Sequence, residues 1–183
     1  GIPLVSHFHG YDAFIDSVIA KHNGYREAFR FFKYVLAVSR TMVNKLIKIG
    51  CPKEKLVYNP CAPDDSFLKI SPDFKSDYFL MVGRFTDKKA PYYSILAFNK
   101  VLKSEPKAKL ICVGDGILLN MCKNLVRYLG IEKAVEFRGI LSNGEVMNLM
   151  KNSIAFIQHS VTAENGDMEG TPVAILEASA SGL

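Results

Sequence analysis

Short apolar runs alternate with amphipathic stretches along almost the whole chain. The runs at 3–9, 35–39, 56–59, 78–82, 109–113, 134–137 and 154–158 are rich in Val, Ile, Leu and Phe. They lack the in–out alternation of a half-exposed strand, which is how strands of a parallel sheet covered on both faces read. The stretches between them carry helix signals. Leu118, Met121, Cys122, Leu125, Val126 and Leu129 form one face of a 3.6-residue period, and Gly130 is placed to stop that helix. Ser142, with Glu145 three residues later, predicts a capping box ahead of Val146, Leu149 and Met150. Pro91 opens a helix through Tyr92, Ile95, Phe98, Val101 and Leu102, and Val43, Leu46 and Ile47 form a stripe closed by Gly50. Strand and helix in alternation predict right-handed crossovers and an α/β fold with doubly wound parallel sheets.

One stretch breaks the rhythm. Asn59-Pro-Cys-Ala-Pro-Asp-Asp-Ser-Phe, followed by Ser71-Pro-Asp, concentrates proline and turn formers between two βα series. It predicts a domain over residues 1–60, a linker over 61–74 and a second domain over 75–183. The first series has no N-terminal start of its own, and the second stops where a further strand should follow. Both domains are therefore expected to continue beyond the chain, leaving the isolated piece inactive.

Composition narrows the picture only a little. At 183 residues, 49% hydrophobic and 22% charged, the chain has material for a sizeable core. Its net charge of +5 is spread along the sequence. That favours anionic partners such as phosphates or acidic lipid, and provides no concentrated nucleic-acid patch. Cys51, Cys61, Cys112 and Cys122 form no C-x-x-C pair, so they read as reduced thiols of a cytosolic protein rather than as a zinc ribbon. No apolar run approaches the about 18 residues of a membrane span, and the first residues lack the basic and apolar regions of a signal peptide.

Four segments can carry chemistry. Glu169-Gly-Thr-Pro-Val-Ala-Ile-Leu-Glu177 places a proline in the first turn of a helix. The free N–H groups and positive dipole end of such a start favour an anion such as diphosphate. Glu169 and Glu177 can accept hydrogen bonds from sugar or ribose hydroxyls; as plain surface acids they would do nothing of the kind. Gly83-Arg84-Phe-Thr-Asp-Lys88-Lys89 lies between a strand and a helix, where α/β sheets bind ligands, and its cations suit a diphosphate. The alternative is an exposed basic loop. Gly114-Asp115-Gly116 after a strand permits close backbone approach or merely a tight turn. His7 and His9 share a strand face near Asp12; a hydrogen-bonding His9, a buried histidine and a metal pair are all compatible with that spacing, but no third ligand stands nearby for a metal. The polar loop 159–167 either borders a cleft or is a solvated connection. The basic-aromatic stretch 25–34 could meet a membrane surface, although Tyr25, Ala28, Phe29 and Phe32 on one helical stripe favour a core-facing helix.

Taken in order, Gly-Arg-x(4)-Lys, Val-Gly-Asp-Gly, Val-x-Phe-x-Gly at Val135–Gly139 and Glu-Gly-x-Pro-x(4)-Glu-Ala resemble the nucleotide-binding domain of glycosyltransferase family 4. Upstream, His9-Gly, Val38-Ser-Arg40, Tyr58-Asn-Pro60 and Asp65-Ser-Phe67 resemble the end of that family's N-terminal domain and its linker. The resemblance covers nearly the whole chain. The run 165–172 looks like members that build bacterial exopolysaccharide or surface glycans. The resemblance implies a GT-B fold of two Rossmann-like domains, both incomplete here. It also implies transfer of a sugar from a nucleotide-diphosphate-sugar to a glycan or lipid-linked acceptor, with retention of anomeric configuration. Arg84 and Lys89 would contact the diphosphate, with Gly83, Gly114, Asp115 and Gly116 around it. Glu169 would hold the sugar and Glu177 the ribose. Backbone N–H groups at Thr171–Val173 would face the phosphates, Gly170 and Pro172 belonging to the same donor-binding loop, and the segment Arg138–Leu141, with Gly139 and Ile140, would border the base. His9 would meet the reacting centre. No cofactor beyond the donor and no metal is implied, and the setting would be cytoplasmic, peripheral at the inner membrane face. A sugar-nucleotide epimerase of the same fold and a non-catalytic nucleotide-sugar-binding module are the alternatives. Two departures stand out: Asn59-Pro60 replaces the common Asn-Gly, and Lys89-Ala90 replaces Lys-Gly.

Overall fold

In the computed structural model, which describes residues 2–183, the chain forms two compact units. One comprises Gly1–Ala62 with Thr162–Pro172, the other Pro63–Val161 with Val173–Leu183.

The first unit runs β1 (Leu4–Phe8), α1 (Gly10–Phe14), α2 (Asp16–Lys21), α3 (Arg26–Phe31), β2 (Phe32–Ala37), α4 (Arg40–Lys48) and β3 (Leu56–Tyr58). Its three strands lie side by side in the order β1-β2-β3, all parallel. Phe8, Phe14, Phe29, Val35, Met42 and Leu46 are buried together beneath them. The Ser39 hydroxyl accepts the Met42 N–H at 3.1 Å and fixes the start of α4. Lys45 in its last turn pairs with Asp16 of α2 at 2.9 Å.

Residues 25–34 do not form the single helix that their stripe predicts. Tyr25 precedes α3 with φ 58°, and Phe32 already opens β2, where it pairs with Leu4. The run Phe-Lys-Tyr-Val-Leu-Ala is β-prone, and pairing with β1 overrides the helical period. Phe29 remains buried, and Tyr25 and Phe32 pack against the core from these different elements. Phe31, at the end of α3, is 74% exposed.

The second unit runs β4 (Tyr78–Val82), α5 (Pro91–Val101), β5 (Lys109–Val113), α6 (Leu119–Tyr128), β6 (Val135–Gly139), α7 (Asn143–Lys151), β7 (Ala155–Phe156) and α8 (Val173–Ala180). The strand order is β6-β5-β4-β7, all parallel. The chain therefore builds outward from β4 to β6 and then returns to the other side of β4. That reversal opens a crevice at the C-terminal ends of the strands, the usual ligand position in open α/β sheets. Leu110, Ile111, Cys112 and Val113 of β5 are all buried, as a strand covered on both faces requires. Ile95, Phe98, Cys122 and Val126 pack with Met81, Leu110 and Cys112. Phe67, Val146, Met150 and Ala178 pack with Leu80, Ile111 and Val113. Phe67 comes from a 3-10 turn at Asp65–Lys69 and is 1% exposed.

The Ser142–Glu145 capping box forms at the start of α7, the Glu145 carboxylate accepting the Ser142 N–H at 2.8 Å. Although β7 spans two residues, its hydrogen bonding continues on both sides, from Ile154 N–H to Tyr78 and from Ile157 N–H to Leu80, each at 2.8 Å. All four cysteines are free thiols. Burial pushes Cys51 and Cys122 up to about 11, and Cys112 higher still. No helix among the described residues is long and apolar enough to cross a membrane.

Candidate functional site

A cavity of about 410 Å³ opens at the C-terminal ends of β4 and β5 in the second unit. Its wall of Val82, Val113 and Val146 is continuous with the core. Around this floor stand Gly83 and Arg84 after β4, Gly114 and Asp115 after β5, Ile140, Leu141 and Asn143 between β6 and α7, and Glu177 from α8. Six residues expected at a ligand site from the sequence (Gly83, Arg84, Gly114, Asp115, Ile140 and Glu177) thus line one hollow.

The two loops at the cavity mouth are joined by an extension of the sheet. Past the end of β4, Gly83 N–H donates to Val113 at 3.0 Å and Phe85 N–H to Asp115 at 2.9 Å, and Leu118 N–H returns to the Phe85 carbonyl at 3.0 Å. The approach is so close that only glycine fits. A Cβ on Gly114, with φ +127°, would stand 2.1 Å from the Gly83 carbonyl oxygen. One on Gly116, with φ +152°, would stand 2.5 Å from that of Phe85. Gly114 and Gly116 are thus needed where this loop meets the backbone of the Gly83–Phe85 loop.

Arg84 projects from this seam into the cavity lining and makes no ion pair among the described residues. Lys89 follows on a tight 3-10 turn, in which the Thr86 carbonyl accepts the N–H groups of Lys89 and Ala90 at 3.0 and 3.1 Å. A Cβ built on Gly83 would lie 3.9 Å from Cε of Lys89, so the Lys89 stem runs over the loop that carries Arg84. Ala90 takes φ 38°, ψ 53°, the left-handed region that glycine enters most easily. The alanine departure therefore keeps the turn geometry at a local conformational cost. Glu177, partly buried in α8, has its carboxyl raised above the ordinary carboxylate range by desolvation. With Arg84 and Glu177 on one hollow, the arrangement can neutralise an anion and accept hydrogen bonds from hydroxyls.

Other expected residues fall elsewhere. Arg138 lies on β6 and pairs with Glu136 at 2.7 Å, outside the cavity lining. Gly139 ends β6 and accepts the Gly114 N–H at 2.7 Å. Pro172 immediately precedes α8, and Val173 is its first residue. Glu169, Gly170 and Thr171 belong to the first unit. There the Thr171 hydroxyl donates to the Val38 carbonyl at 3.0 Å, and a Cβ on Gly170 would meet the Ser39 hydroxyl at 3.2 Å. Met168 packs against that unit's core. This loop is seated just past the C-terminal end of β2. His9 stands just past the end of the neighbouring β1, its N–H donating to the Asp12 carboxylate at 3.2 Å and its ring 4.5 Å from that of His7. Among the described residues, no group of three or more His, Cys, Asp or Glu is arranged to hold a metal. Asn143 and Val146 carry no ligand motif; only the position of Asn143 after the capping serine hinted at its place.

The fold and its cavity define a Rossmann-like α/β unit with a ligand hollow at its strand ends. The Glycosyl transferases group 1 family model matches residues 65–183, and the chain belongs to that family. The amylovoran biosynthesis glycosyltransferase AmsK of Erwinia amylovora is 31% identical, the match covering 98% of this chain and 45% of AmsK. The structure of HepE from Anabaena in complex with UDP and glucose superposes with a TM-score of 0.79 at 22% identity, covering 98% of this chain and 51% of HepE. WaaG, a glycosyltransferase involved in lipopolysaccharide biosynthesis, superposes with a TM-score of 0.73 at 18% identity, covering all of this chain and 56% of WaaG. The chain thus spans about half the length of the relatives it matches. Its fold class is the α/β, GT-B kind.

Proposed function

We propose that the protein transfers a sugar from a nucleotide-diphosphate-sugar to a glycan or lipid-linked acceptor, with retention of anomeric configuration. The observation that carries this reading is the hollow at the ends of β4 and β5, where Arg84 and Glu177 share one lining. Arg84 and Lys89 are assigned the donor diphosphate and Glu177 the ribose hydroxyls. Thr171 and Val173 supply backbone N–H groups for phosphate, since Pro172 has none. Glu169 is assigned the hydroxyls of the transferred sugar and His9 the reacting centre. Residues 1–60 would then serve the acceptor side and residues 75–183 the donor side. Likeness to AmsK, named for amylovoran biosynthesis, supports an exopolysaccharide or surface-glycan product. A cytoplasmic setting, peripheral at the membrane, suits such an acceptor.

The chemistry needs little covalent help from the protein. The bond from the sugar C1 to the diphosphate oxygen breaks, and its electron pair leaves with the nucleoside diphosphate. The acceptor hydroxyl attacks C1 from the same side, and its proton passes to the departing phosphate oxygen. Fixed cations facing that oxygen lower the barrier because its negative charge grows in the transition state, while the held donor and acceptor supply orientation. The test is radiolabelled sugar transfer by the whole protein, with the anomeric configuration of the product read by NMR. Binding of a nucleoside diphosphate with no transfer to any acceptor would leave a binding module. Interconversion of donors without acceptor would mark an epimerase.

A further inference from the structure

We propose that the Asn143 side chain reads the polar edge of the donor's nucleobase, a role that rests on the reading of the cavity given above. The cavity's other polar groups are already committed. Arg84 is the cation of the lining and suits phosphate; Glu177 is an acceptor suited to hydroxyls. The Asp115 carboxylate accepts the N–H of Gly116 at 2.7 Å and is turned into its own loop. Asn143 is the remaining polar side chain of the lining, and it carries both a donor and an acceptor.

Its position frees it for a ligand. It is the first residue of α7, but the capping of that helix is complete without it. Ser142 and Glu145 satisfy one another, the serine hydroxyl accepting the Glu145 N–H while the carboxylate accepts the Ser142 N–H. The rim beside it is apolar. Ile140 is 80% exposed, a large aliphatic side chain left in water on the cavity edge with no packing reason of its own. A planar base laid over Ile140 and Leu141 would remove that surface from water. It would also bring its hydrogen-bonding edge to the neighbouring Asn143. A side-chain amide matches the adjacent carbonyl and N–H of uracil with two bonds, its NH2 donating and its oxygen accepting.

The test measures binding of UDP, CDP and pyrophosphate to the whole protein by isothermal titration calorimetry. Asn143→Ala should weaken UDP about tenfold, the lower part of the range for one bidentate base contact, while pyrophosphate affinity and the thermal midpoint stay unchanged. Asn143→Asp, which can only accept, should move the UDP-to-CDP affinity ratio toward CDP, because it cannot donate to the uracil carbonyl yet can accept from the cytosine amine. Unchanged UDP affinity in Asn143→Ala overturns the inference alone, as does equal loss for UDP and pyrophosphate. A wild-type protein that binds no nucleoside diphosphate overturns the reading of the cavity and this inference together.

Discussion

Replacing Gly114 by alanine tests whether the seam between the two cavity loops is as rigid as its hydrogen bonds suggest. The added Cβ would lie 2.1 Å from the Gly83 carbonyl oxygen and 2.9 Å from its carbon, whereas ordinary contact begins at 3.4 Å. One strand end must therefore retreat by about 1 Å, a displacement that a close-packed interior resists. Neither end is free to move. Gly83 N–H is held by Val113 at 3.0 Å, Phe85 N–H by Asp115 at 2.9 Å, and Gly114 N–H by Gly139 at 2.7 Å. Alanine at this positive φ costs about 1–2 kcal/mol, and each ladder bond broken without replacement costs about 1–3 kcal/mol. With one such bond lost the total is about 2–5 kcal/mol, a large share of the about 5–15 kcal/mol that holds a domain together. Urea unfolding followed by far-UV circular dichroism should show the midpoint falling by about 1–2.5 M at a urea slope of about 2 kcal/mol per M. Gly130→Ala provides the control, since its φ is also positive, at 69°, but nothing lies within 4 Å of its added Cβ. That variant should lose only the dihedral share. If Gly114→Ala costs no more than Gly130→Ala, the seam relaxes freely and the argument for a fixed cavity wall fails.

In the whole protein, Lys89→Ala should lower sugar-transfer turnover by about two to three orders of magnitude, the scale for one lost transition-state partner; steady-state kinetics showing unchanged turnover would remove Lys89 from the mechanism. The raised carboxyl of Glu177 means that the folded state binds its proton more readily than the unfolded chain does. Its contribution is fully present below the unfolded value and is lost as pH rises through the folded one. Glu177→Gln, neutral throughout, should therefore gain thermal stability relative to the ligand-free wild type as pH rises above the ordinary carboxylate value of about 4, and melting temperatures of the two that stay parallel as pH rises would refute the desolvation of that carboxyl. Ser142→Ala removes the cap of α7 and should cost about 1 kcal/mol, seen in chemical denaturation, while Ser142→Asp should restore most of it.

What could be read without coordinates divides along physical lines. Periodicity and capping are local, so β4, β5 and α5–α7 emerge close to their residue spacing, and the Ser142 box forms as written. The fate of residues 25–34 is not local: a helical stripe and a β-prone run overlap there, and only pairing of Phe32 with β1 decides between them. The same distinction governs the site. Gly83, Arg84, Gly114 and Asp115 sit directly after strands, where topology delivers them to one place whatever the side-chain details. Asn143 and Val146 reach the hollow only because α7 packs across it, which no motif announces. Arg138 points the other way for a local reason: Glu136 lies two residues before it on the same face of β6 and takes its charge.

The backbone bonds that continue from β4 and β5 through Phe85, Asp115 and Leu118 carry a thermodynamic consequence. Ordering a loop residue costs about 1–2 kcal/mol in lost backbone freedom, and here that loss is charged to folding rather than to association. A ligand meeting these walls need not organise them, so a modest set of polar contacts can yield useful affinity. Calorimetry should then find a binding heat capacity that scales with the ligand's own buried surface, without the larger change that accompanies a segment folding around its guest.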